Sequence, residues 1–508
     1  MTPGAPSPPA VLDPPAEPAG GAAPPLRRRW EVRSPWSLLV GAALFATGLV
    51  AGRSVLETDV FWHVRLGQDI LAGRGLSGAG WSYTTPHSAW RSTEWLGEVA
   101  LAAAHDTFGW RGVIGLRLAL ALMLVGGLGV TLLRGKSVRA RALVFVPVAA
   151  SAVNSIEERP QLLSFVLLVW VAAWARTSLH GGRPVRWWVL LPVTLLWAQV
   201  HGYWLLVPAV LVLLCVCRLL DGDRAAVLPL AARAVAVVAV ACVNPLGPSL
   251  LVAPIRLHAA TAIIQEWRPS NAAAPNFWLL LALVAGLVWA WSRRGVGAGH
   301  GELLYAAAVV AYGFSALRNL TPAALLLAPV VAERLAAVWP EREQLGTTER
   351  RVLGAAQAVL VVGGVVAGTV NALTVPAVQP SSTPLAIAAA LRTEPGPRRV
   401  VNGYNVSGRL LAFAGPGVQV AVDGRSDRYG NRYLLDYVGM LNMTPGWEGR
   451  FSELAPTDIV LATGTPLAYH LAGHGWHVVL TDQGYELLQP DDPTMVPTVP
   501  AACLPGCL

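Results

Sequence analysis

The sequence predicts an α-helical polytopic membrane protein with about eleven membrane spans and a small C-terminal α/β domain. Composition is the first reason, because 54% of the 508 residues are hydrophobic and only 13% are charged, whereas soluble proteins carry about 25% charged residues. Spacing is the second reason, because apolar runs close to the length that crosses about 30 Å of hydrocarbon recur up to about residue 371. The final part of the chain instead alternates strand-like and helix-like patterns.

The N-terminal tail, residues 1–35, is rich in Pro, Ala and Gly and has almost no hydrophobic periodicity. This composition is typical of a disordered segment, which we place in the cytoplasm. The first apolar run follows Arg27, Arg28 and Arg29 and shows no clear small-residue cleavage site. We therefore expect this run to stay in the membrane as a signal anchor.

The predicted transmembrane domain covers residues 36–371. Its spans are expected near residues 36–52, 111–133, 140–154, 161–176, 187–199, 203–219, 226–243, 277–292, 302–317, 320–335 and 351–370. Several of these runs are only about 13 to 16 residues long, so some are expected to be broken helices or tight hairpins that do not cross fully.

Basic residues occupy alternate connections between the spans, and they set the predicted orientation. These connections contain Arg134, Lys136, Arg139, Arg141, Arg176, Arg183, Arg186, Arg218, Arg224, Arg293, Arg294, Arg334, Arg342, Arg350 and Arg351. The positive-inside rule places them in the cytoplasm, so the first loop (residues 53–110) and the chain after residue 371 lie outside. The net charge of +8 does not indicate a nucleic-acid partner, because the basic residues are not gathered into one patch with interleaved aromatics.

The first external loop carries the densest group of chemically active residues. If a helix begins at its start, a spacing of four places Asp59, His63 and Gly67 on one face. Glu57 immediately precedes this face. The neighbouring face, expected on the membrane surface, holds Trp62, Leu66 and Ile70. The alternative is an interfacial helix whose acidic residues only cap its N-terminus and whose Trp anchors in the headgroups.

The same loop continues into an aromatic and polar stretch that contains Trp90 and Glu94. Such a stretch could contact a sugar through ring stacking and hydrogen bonds to hydroxyl groups. Aromatic residues that anchor a protein at the membrane interface give the same pattern, so the sequence leaves both interpretations open.

Polar and charged residues recur at the outer ends of later predicted spans. The most prominent are Arg159, His201, Glu266 and Arg318. Ionisable groups at such depths are costly, and they usually serve function or pair with one another. Taken singly, each of these residues could be a helix-capping or packing group. Together they predict one polar site, in which Arg159, His201 and Arg318 surround an anionic headgroup.

A linker at residues 372–380 precedes the predicted α/β domain, which covers residues 381–490 and lies outside the membrane. Its strand-like runs are residues 399–401, 418–422, 458–462 and 477–480, and its helical patterns lie near residues 384–392, 430–442 and 464–473. Asp423 and Arg425 follow the second of these strands, where α/β domains place ligand loops. They could instead form a buried ion pair that fixes the loop. The glycine spacing excludes a dinucleotide site.

The last segment, residues 491–508, is predicted to be a flexible tail. Its Cys503 and Cys507 could form a disulfide if they are exposed to an oxidising compartment.

Several short blocks, in a fixed order, resemble a known family. They are Asp59–Leu71, Glu158–Leu162, Trp197–Gly202, Asn244-Pro245, Glu266-Trp267, Arg318-Asn319 and Asp423–Gly430. In this order they are similar to bacterial polytopic proteins of the GT-C glycosyltransferase superfamily, from residue 36 to about residue 490. The mark of that superfamily, an acidic pair in the first external loop, is matched by Glu57-Thr58-Asp59. The chain departs from the pattern at Val60-Phe61-Trp62, where more Trp is common, and at Ser407-Gly408, where a Gly-Gly pair is common.

The resemblance implies an inverting glycosyltransferase in a bacterial plasma membrane. Such an enzyme moves a sugar from a polyprenyl-phosphate donor to an extracytoplasmic glycan, lipid or protein acceptor. Asp59 would remove the proton from the acceptor hydroxyl group, and His63 would orient Asp59 or help to bind phosphate. The residues implied to hold the donor phosphate are Arg159, His201 and Arg318. The residues assigned to the acceptor side or to supporting roles are Glu266, Trp90, Glu94, Asp423 and Arg425.

The sequence shows no tight metal-ligand spacing and therefore predicts no metal site. Glu57 could orient the acceptor or bind a divalent cation, so a cation remains an open alternative. Two other functions fit the topology. A non-catalytic envelope protein would bind a partner through its outer domain and would tolerate loss of Asp59. A transporter is disfavoured, because neither internal repeats nor mid-span ionisable groups are evident.

Overall fold

The computed structural model describes residues 35–85, 88–132, 137–182, 184–258, 263–339 and 347–492. Residues 1–34 of the predicted N-terminal tail and residues 493–508 of the predicted C-terminal tail, with Cys503 and Cys507, lie outside the described residues. So do Arg134, Lys136, Arg183 and Arg342, which contributed to the predicted orientation.

The described residues between 35 and 374 form a helical bundle. Its helices are α1 (Pro35–Ala51), α2 (Val60–Leu71), α3 (Trp95–Phe108), α4 (Trp110–Leu132), α5 (Val138–Val153), α6 (Gln161–Leu179), α7 (Trp187–Val200), α8 (Leu206–Leu220), α9 (Val227–Ala241), α10 (Ala253–His258), α11 (Pro275–Trp291), α12 (His300–Ser315), α13 (Leu320–Val338) and α14 (Thr347–Thr374). A helix lies on each of the eleven predicted spans, whereas α2, α3 and α10 belong to connections.

Six helical segments of the described chain are long and apolar enough to cross a membrane. They are Trp110–Leu132, Gln161–Leu179, Gly202–Leu220, Arg224–Ala241, Leu317–Val338 and Arg351–Thr374. Three shorter apolar helices are Trp36–Ala51, Trp187–Val200 and Pro275–Trp291. The protein is therefore membrane-embedded, and the figure of eleven crossings stays a prediction.

Helix α13 lies at the centre of the bundle, where all residues from Leu320 to Ala332 are buried. It packs against α5, α6, α11 and α12. A helix that is apolar all round must be enclosed by other helices or by lipid, and α13 is enclosed by helices. This central position matters for the site, because the turn that precedes α13 carries Arg318.

Helices α1 and α14 cross closely through glycines. A Cβ atom on Gly48 would overlap the backbone of Gly364, and one on Gly52 would overlap the backbone of Gly368. Small residues allow helix backbones to approach within a membrane, where apolar area alone gives little drive for association. The opposite face of α14 exposes apolar side chains such as Val359 and Val366, as a lipid-facing helix does.

The C-terminal domain has the predicted α/β character. Its elements are α15 (Leu385–Thr393), β1 (Arg398–Asn402), α16 (Ser407–Phe413), β2 (Val418–Val420), α17 (Ser426–Leu441), α18 (Trp447–Leu454), β3 (Asp458–Ala462), α19 (Pro466–Leu471), β4 (Trp476–Asp482) and β5 (Tyr485–Pro490). The sheet order is β2-β1-β3-β5-β4, with β1 parallel to β2 and β3, and with β5 antiparallel to β3 and β4. Strand β5 is an element that the sequence analysis missed.

The first loop joins the edge of this sheet. The backbone N–H of Val420 in β2 donates to the carbonyl of Trp81 over 2.8 Å, and Ser82 pairs with Val420 in a parallel bridge. An exposed sheet edge is thereby covered. The predicted position of Trp62 and Leu66 on the membrane surface is wrong, because both side chains are buried in a core shared with β1, β2 and α16. Ile70 packs against the same core.

Candidate active site

Four connections meet at one end of the helical bundle and form the candidate site. Glu57 and Asp59 lie between α1 and α2, and Arg159 lies between α5 and α6. Glu266 and Arg318 lie in the short 3-10 turns Gln265–Trp267 and Leu317–Asn319. The sequence analysis predicted one polar site from Arg159, His201, Glu266 and Arg318. The structure brings Arg159, Glu266 and Arg318 together with Glu57 and Asp59.

Arg159 is the centre of this group. Its Nη2 atom lies 2.7 Å from Glu57 Oε1 and 2.8 Å from Asp59 Oδ2, and its Nη1 atom lies 3.1 Å from Glu266 Oε2. A fourth carboxylate, Glu157, lies 3.8 Å from Nε. We call Arg159 with these four carboxylates the Arg159 cluster.

The connection that carries Arg159 is held in place by its neighbours. Glu158 forms an ion pair with Arg117 of α4, and both side chains are buried. Arg117 also donates to the carbonyl of Ala51 over 2.9 Å, and Arg53 donates to the carbonyl of Ile156 over 2.8 Å. The ends of α1, α4 and α5 are therefore tied together beside Arg159.

The two acids of the first loop differ electrostatically. Burial raises the pKa of the Asp59 carboxyl above its ordinary value, and the charge of Arg159 offsets only part of that rise. Burial is also the largest single influence on the pKa of Glu57, and it raises that pKa. The charge of Arg159, its hydrogen bond and the backbone hydrogen bonds together outweigh burial. They hold the pKa of Glu57 below its ordinary value. Asp59 accepts one further hydrogen bond, from Trp62 Nε1 over 3.2 Å. The pKa values of the two carboxyl groups are therefore shifted in opposite directions.

Arg318 is the second cation of the site. Its Nη1 lies 3.4 Å from Glu266 Oε1, and its Nε donates to the hydroxyl of Tyr203 over 3.3 Å. The guanidinium group also lies over the ring of Trp267, 4.5 Å from the centroid. Aromatic faces hold a cation without neutralising it, so Arg318 keeps more of its charge available than Arg159 does.

The two predicted histidines contact side chains other than the carboxylates of the Arg159 cluster. His63 Nδ1 lies 3.3 Å from Glu98 Oε1, and its ring stacks on Trp62 at a centroid distance of 3.7 Å. His201 Nδ1 lies 3.1 Å from the hydroxyl of Ser164, and its Nε2 lies 3.6 Å from Glu94. Burial, followed by the charge of Arg318, lowers the pKa of His201 well below its ordinary value. His201 is therefore neutral at pH 7 and is not the cation that the sequence analysis expected.

Glu98 is the residue of this region that the sequence analysis overlooked. Its side chain is 1% exposed, and burial raises its pKa to about 8. Glu94, one helical turn earlier, has a pKa raised by burial to about 7. The spacing of four between two acids at the start of α3 is the signal that could have identified Glu98.

The C-terminal domain contributes one wall of the site. A Cβ atom on Gly424 would overlap Trp62 Nε1 and Asp59 Oδ1, and the hydroxyl of Tyr404 donates to the Gly424 carbonyl over 3.2 Å. Gly408 similarly allows α16 to approach the carbonyl of Thr58. The chain after β2 therefore touches the candidate catalytic carboxylate, a contact that the sequence analysis did not predict.

Asp423, Arg425 and Trp90 form a second network beside this wall. Arg425 makes a two-pronged contact with Asp423, with distances of 2.9 and 2.6 Å, and both side chains are fully buried. Arg425 also lies over the rings of Trp81 and Trp90, and Trp90 Nε1 donates to Asp427 over 2.8 Å. This geometry favours the structural alternative for Asp423 and Arg425, in which they fix their own loop and join it to the first loop (residues 53–110).

The described residues contain no group of three or more His, Cys, Asp or Glu side chains arranged to hold a metal ion. Three carboxylates of the Arg159 cluster instead contact the guanidinium group of Arg159.

No family model matches the sequence, and no curated protein matches it. Solved structures do match the fold. One is the crystal structure of ArnT from Cupriavidus metallidurans in the apo state, with a TM-score of 0.51 and 16% identity over 91% of this chain and 99% of that chain. The same protein bound to undecaprenyl phosphate matches with a TM-score of 0.51 and 14% identity, over the same shares of both chains. The arabinofuranosyltransferase AftD from Mycobacteria matches 90% of this chain and 40% of its own, with a TM-score of 0.47 and 12% identity.

The shared region extends from the helical bundle into the C-terminal domain, because it covers 91% of this chain. The predicted fold class, a polytopic helical domain followed by a small α/β domain, is confirmed. The chain has the fold of the two ArnT structures.

Proposed function

We propose that the protein is a membrane glycosyltransferase that moves a sugar from a polyprenyl-phosphate donor to the hydroxyl group of an acceptor outside the membrane. The observation that carries the proposal is the position of Asp59. It is a partly exposed carboxylate, 23% accessible, at the end of a helical bundle whose fold matches ArnT bound to undecaprenyl phosphate. Arg159 contacts Asp59, and Gly424 of the C-terminal α/β domain lies against it.

Asp59 would act as the general base. As the acceptor oxygen attacks the anomeric carbon, its proton passes to a carboxylate oxygen of Asp59, and the bond from the anomeric carbon to the phosphate oxygen breaks. The electron pair of that bond leaves with the polyprenyl phosphate. Because the acceptor oxygen attacks from the face opposite the breaking bond, the configuration at the anomeric carbon inverts. The hydrogen bond from Trp62 Nε1 and the contact with Arg159 hold the carboxylate in one orientation.

Arg318 is the best candidate for the phosphate contact. A departing phosphate needs a cation that can form charge-assisted hydrogen bonds. Arg318 has one distant carboxylate partner at 3.4 Å, whereas Arg159 is engaged by three carboxylates within 3.1 Å. His201 is neutral and could only donate a hydrogen bond. We therefore assign Arg318 to the donor phosphate and Arg159 to the carboxylates.

The test uses a strain that lacks the protein and compares its lipid-linked sugars and surface glycans after complementation. The native chain should restore a missing glycan, and Asp59→Asn should not, at equal membrane abundance. Asp436→Asn is the matched control, because it makes the same chemical change at an exposed carboxylate of α17. If Asp59→Asn restores the glycan as well as the native chain does, Asp59 is not the base, and a non-catalytic envelope role becomes the better explanation.

A further inference from the structure

Helices α2 and α3 pack closely against each other beside the candidate site, at Gly67. A Cβ atom on Gly67 would overlap the backbone carbonyl of Glu98 and the side chain of Ala102. The lack of a side chain at Gly67 therefore lets the backbone of α3 lie directly against α2. Because His63 lies one helical turn before Gly67, Glu98 reaches the His63 ring.

The start of α3 also packs against the connection that carries Arg159. A Cβ atom on Gly97 would overlap the side chain of Pro160, which directly follows Arg159, and the carbonyl of Val200. Helix α3 is therefore held between α2 and this connection. The position of Glu98 relative to the Arg159 cluster is fixed by the packing of the backbone.

Three contacts join Glu98 to the candidate base, Asp59. Glu98 Oε1 lies 3.3 Å from His63 Nδ1, and both side chains are buried. The His63 ring stacks on Trp62, with a centroid distance of 3.7 Å and an angle of 30° between the ring planes. Trp62 Nε1 donates to Asp59 Oδ1 over 3.2 Å. An unbroken path of side-chain contacts therefore extends from Glu98 to Asp59.

The contact between Glu98 and His63 needs one proton, and the group that holds this proton decides the form of the ring. Burial raises the pKa of Glu98 to about 8, and the hydroxyl of Ser92 and the charge of Arg425 offset only part of that rise. Burial also lowers the pKa of His63 below its ordinary value. At pH 7 a protonated Glu98 therefore donates to Nδ1 of a neutral ring, which then carries its own hydrogen on Nε2.

The charges around the His63 ring favour a hydrogen at Nε2. Since Nδ1 faces Glu98, Nε2 lies on the side of the ring away from Glu98. The charged groups that act on the ring from other positions are Glu94, Asp59, Arg159 and Glu57. Three of these four are carboxylic acids, which an N–H attracts and a lone pair repels when they are ionised. Ionised Glu98 would draw the hydrogen to Nδ1 and leave a lone pair at Nε2.

We propose that Glu98 is a positioning residue for Asp59. Its carboxyl group donates to His63 Nδ1, keeps the ring hydrogen on Nε2 and holds the ring against Trp62, whose indole nitrogen donates to Asp59. The consequence for catalysis rests on the proposed glycosyltransferase function. The form of the His63 ring does not depend on that function.

The first measurement is the rate of glycan formation between pH 6 and pH 9. Membranes of the strain that lacks the protein supply the unused donor and acceptor, and purified variants are added to them. The native rate should fall about tenfold by pH 9, because about one tenth of Glu98 then keeps its proton. Glu98→Gln keeps a donor that cannot ionise, so its rate should lie within about twofold of the native rate at pH 7 and should not fall with it. Glu98→Leu has no donor and should be at least about tenfold slower at pH 7.

Glu302→Gln is the matched control variant. It makes the same chemical change at a buried acid that lies 2.9 Å from the ring of His180, beyond the other end of α6. Its rate should fall with pH as the native rate does.

The second measurement is ¹⁵N NMR of protein labelled at histidine, which detects the form of the ring without an activity assay. The His63→Gln variant assigns the signal of His63. In the native protein the hydrogen should lie on Nε2 at pH 7 and on Nδ1 above about pH 8. In Glu98→Gln it should still lie on Nε2 at pH 9.

A His63 ring with its hydrogen on Nδ1 at pH 7 would overturn the proposal. The same holds for a Glu98→Gln rate that falls with pH as the native rate does, and for a folded Glu98→Leu protein that is fully active while Asp59→Asn is inactive. If Glu98→Leu fails to fold, the comparison of Glu98→Gln with the native protein decides. If Asp59→Asn keeps its activity, the proposed function fails, and the NMR measurement still decides whether Glu98 sets the form of the ring.

Discussion

At the scale of single residues, opposing influences set the pKa of Asp59. Burial favours its neutral form, whereas Arg159 favours the carboxylate, and the net effect is a raised pKa. Both carboxylate oxygens of Asp59 have a partner, since Trp62 donates to one oxygen and Arg159 contacts the other. The chain leaves no room for a side chain at Gly424 beside them.

We predict that Gly424→Ala lowers glycan synthesis by about tenfold to a hundredfold, because its Cβ would displace Asp59 or Trp62 by a fraction of an ångström or more. Gly449→Ala in α18 is the control, because a Cβ there meets no atom within 4 Å. The measurement is the restored glycan per unit of membrane protein in the complemented strain. Equal activity of the two variants would show that the contact between Gly424 and Asp59 is unimportant.

The buried acid Glu98 predicts a pH dependence of stability. Its pKa in the folded protein is raised to about 8 from an ordinary value of 4.5. Folding therefore favours the protonated form. This contribution is complete below about pH 4.5 and is lost as the pH rises through about 8, with each pKa unit equivalent to about 1.4 kcal/mol.

We expect Glu98→Gln, which imitates the protonated side chain, to melt at a higher temperature than the native protein at pH 8. The difference should shrink towards pH 5. Glu448→Gln in α18 changes an exposed side chain and should give the same difference at both pH values. Thermal unfolding of the purified protein at several pH values measures this. A difference that does not depend on pH would contradict the assignment of a neutral Glu98.

At the scale of elements, the crossing of α1 and α14 depends on glycine rather than on matching apolar faces. Gly48 and Gly52 each contact a backbone carbonyl region of α14, at Gly364 and Gly368. Such close crossings gain dispersion contacts that larger residues would prevent.

Gly48→Ala should therefore destabilise the folded protein by about 1–3 kcal/mol, since its Cβ would force the two helices apart. Gly126→Ala in α4 is the control, because the nearest atom to its Cβ lies 4.0 Å away. Melting temperatures in detergent compare the two variants. Equal stability would show that the close crossing of α1 and α14 contributes little.

At the scale of the whole molecule, the first loop (residues 53–110) and the C-terminal domain form one body. Trp81 is 1% exposed in a core that also contains Val400 and Leu410, and Arg425 contacts the carbonyls of Ser77 and Gly78. Helices α4 to α14 separate the loop and the domain in the sequence, yet neither buries its apolar face without the other.

We predict that Trp81→Ala destabilises this body by about 3–5 kcal/mol, because it removes a fully buried indole. Hydrogen exchange should then become faster together in residues 77–85 and in β2, while the helices of the bundle keep their protection. Tyr469→Ala, at a side chain that is 82% exposed, should change neither region. Faster exchange in the loop alone would show that the domain is stable without it.

Local sequence patterns were sufficient to locate a helix on each of the eleven predicted spans and most of the strands, but they did not predict α3, α10 or α18. Hydrophobic run length and periodicity depend on neighbouring residues, so α4, α6, α13 and the parallel strands β1 and β3 lie where the pattern predicted them. Strand β5 was missed because its run, Tyr485–Pro490, mixes polar and apolar residues without the regular alternation of a half-buried strand. The resemblance to a family also drew attention to Asp59, Arg159, Glu266 and Arg318.

The sequence by itself determined the membrane class, the α/β domain and the identity of most charged residues at the site. Only the tertiary structure decided which charges meet, because Arg159 contacts Glu57 across 102 residues and Glu266 across 107 residues of chain. It also decided that His201 is neutral and that Trp62 and Leu66 face a protein core instead of the membrane. The physical reason is that burial and charge pairing are properties of the folded chain, whereas hydrophobic periodicity is a property of each segment.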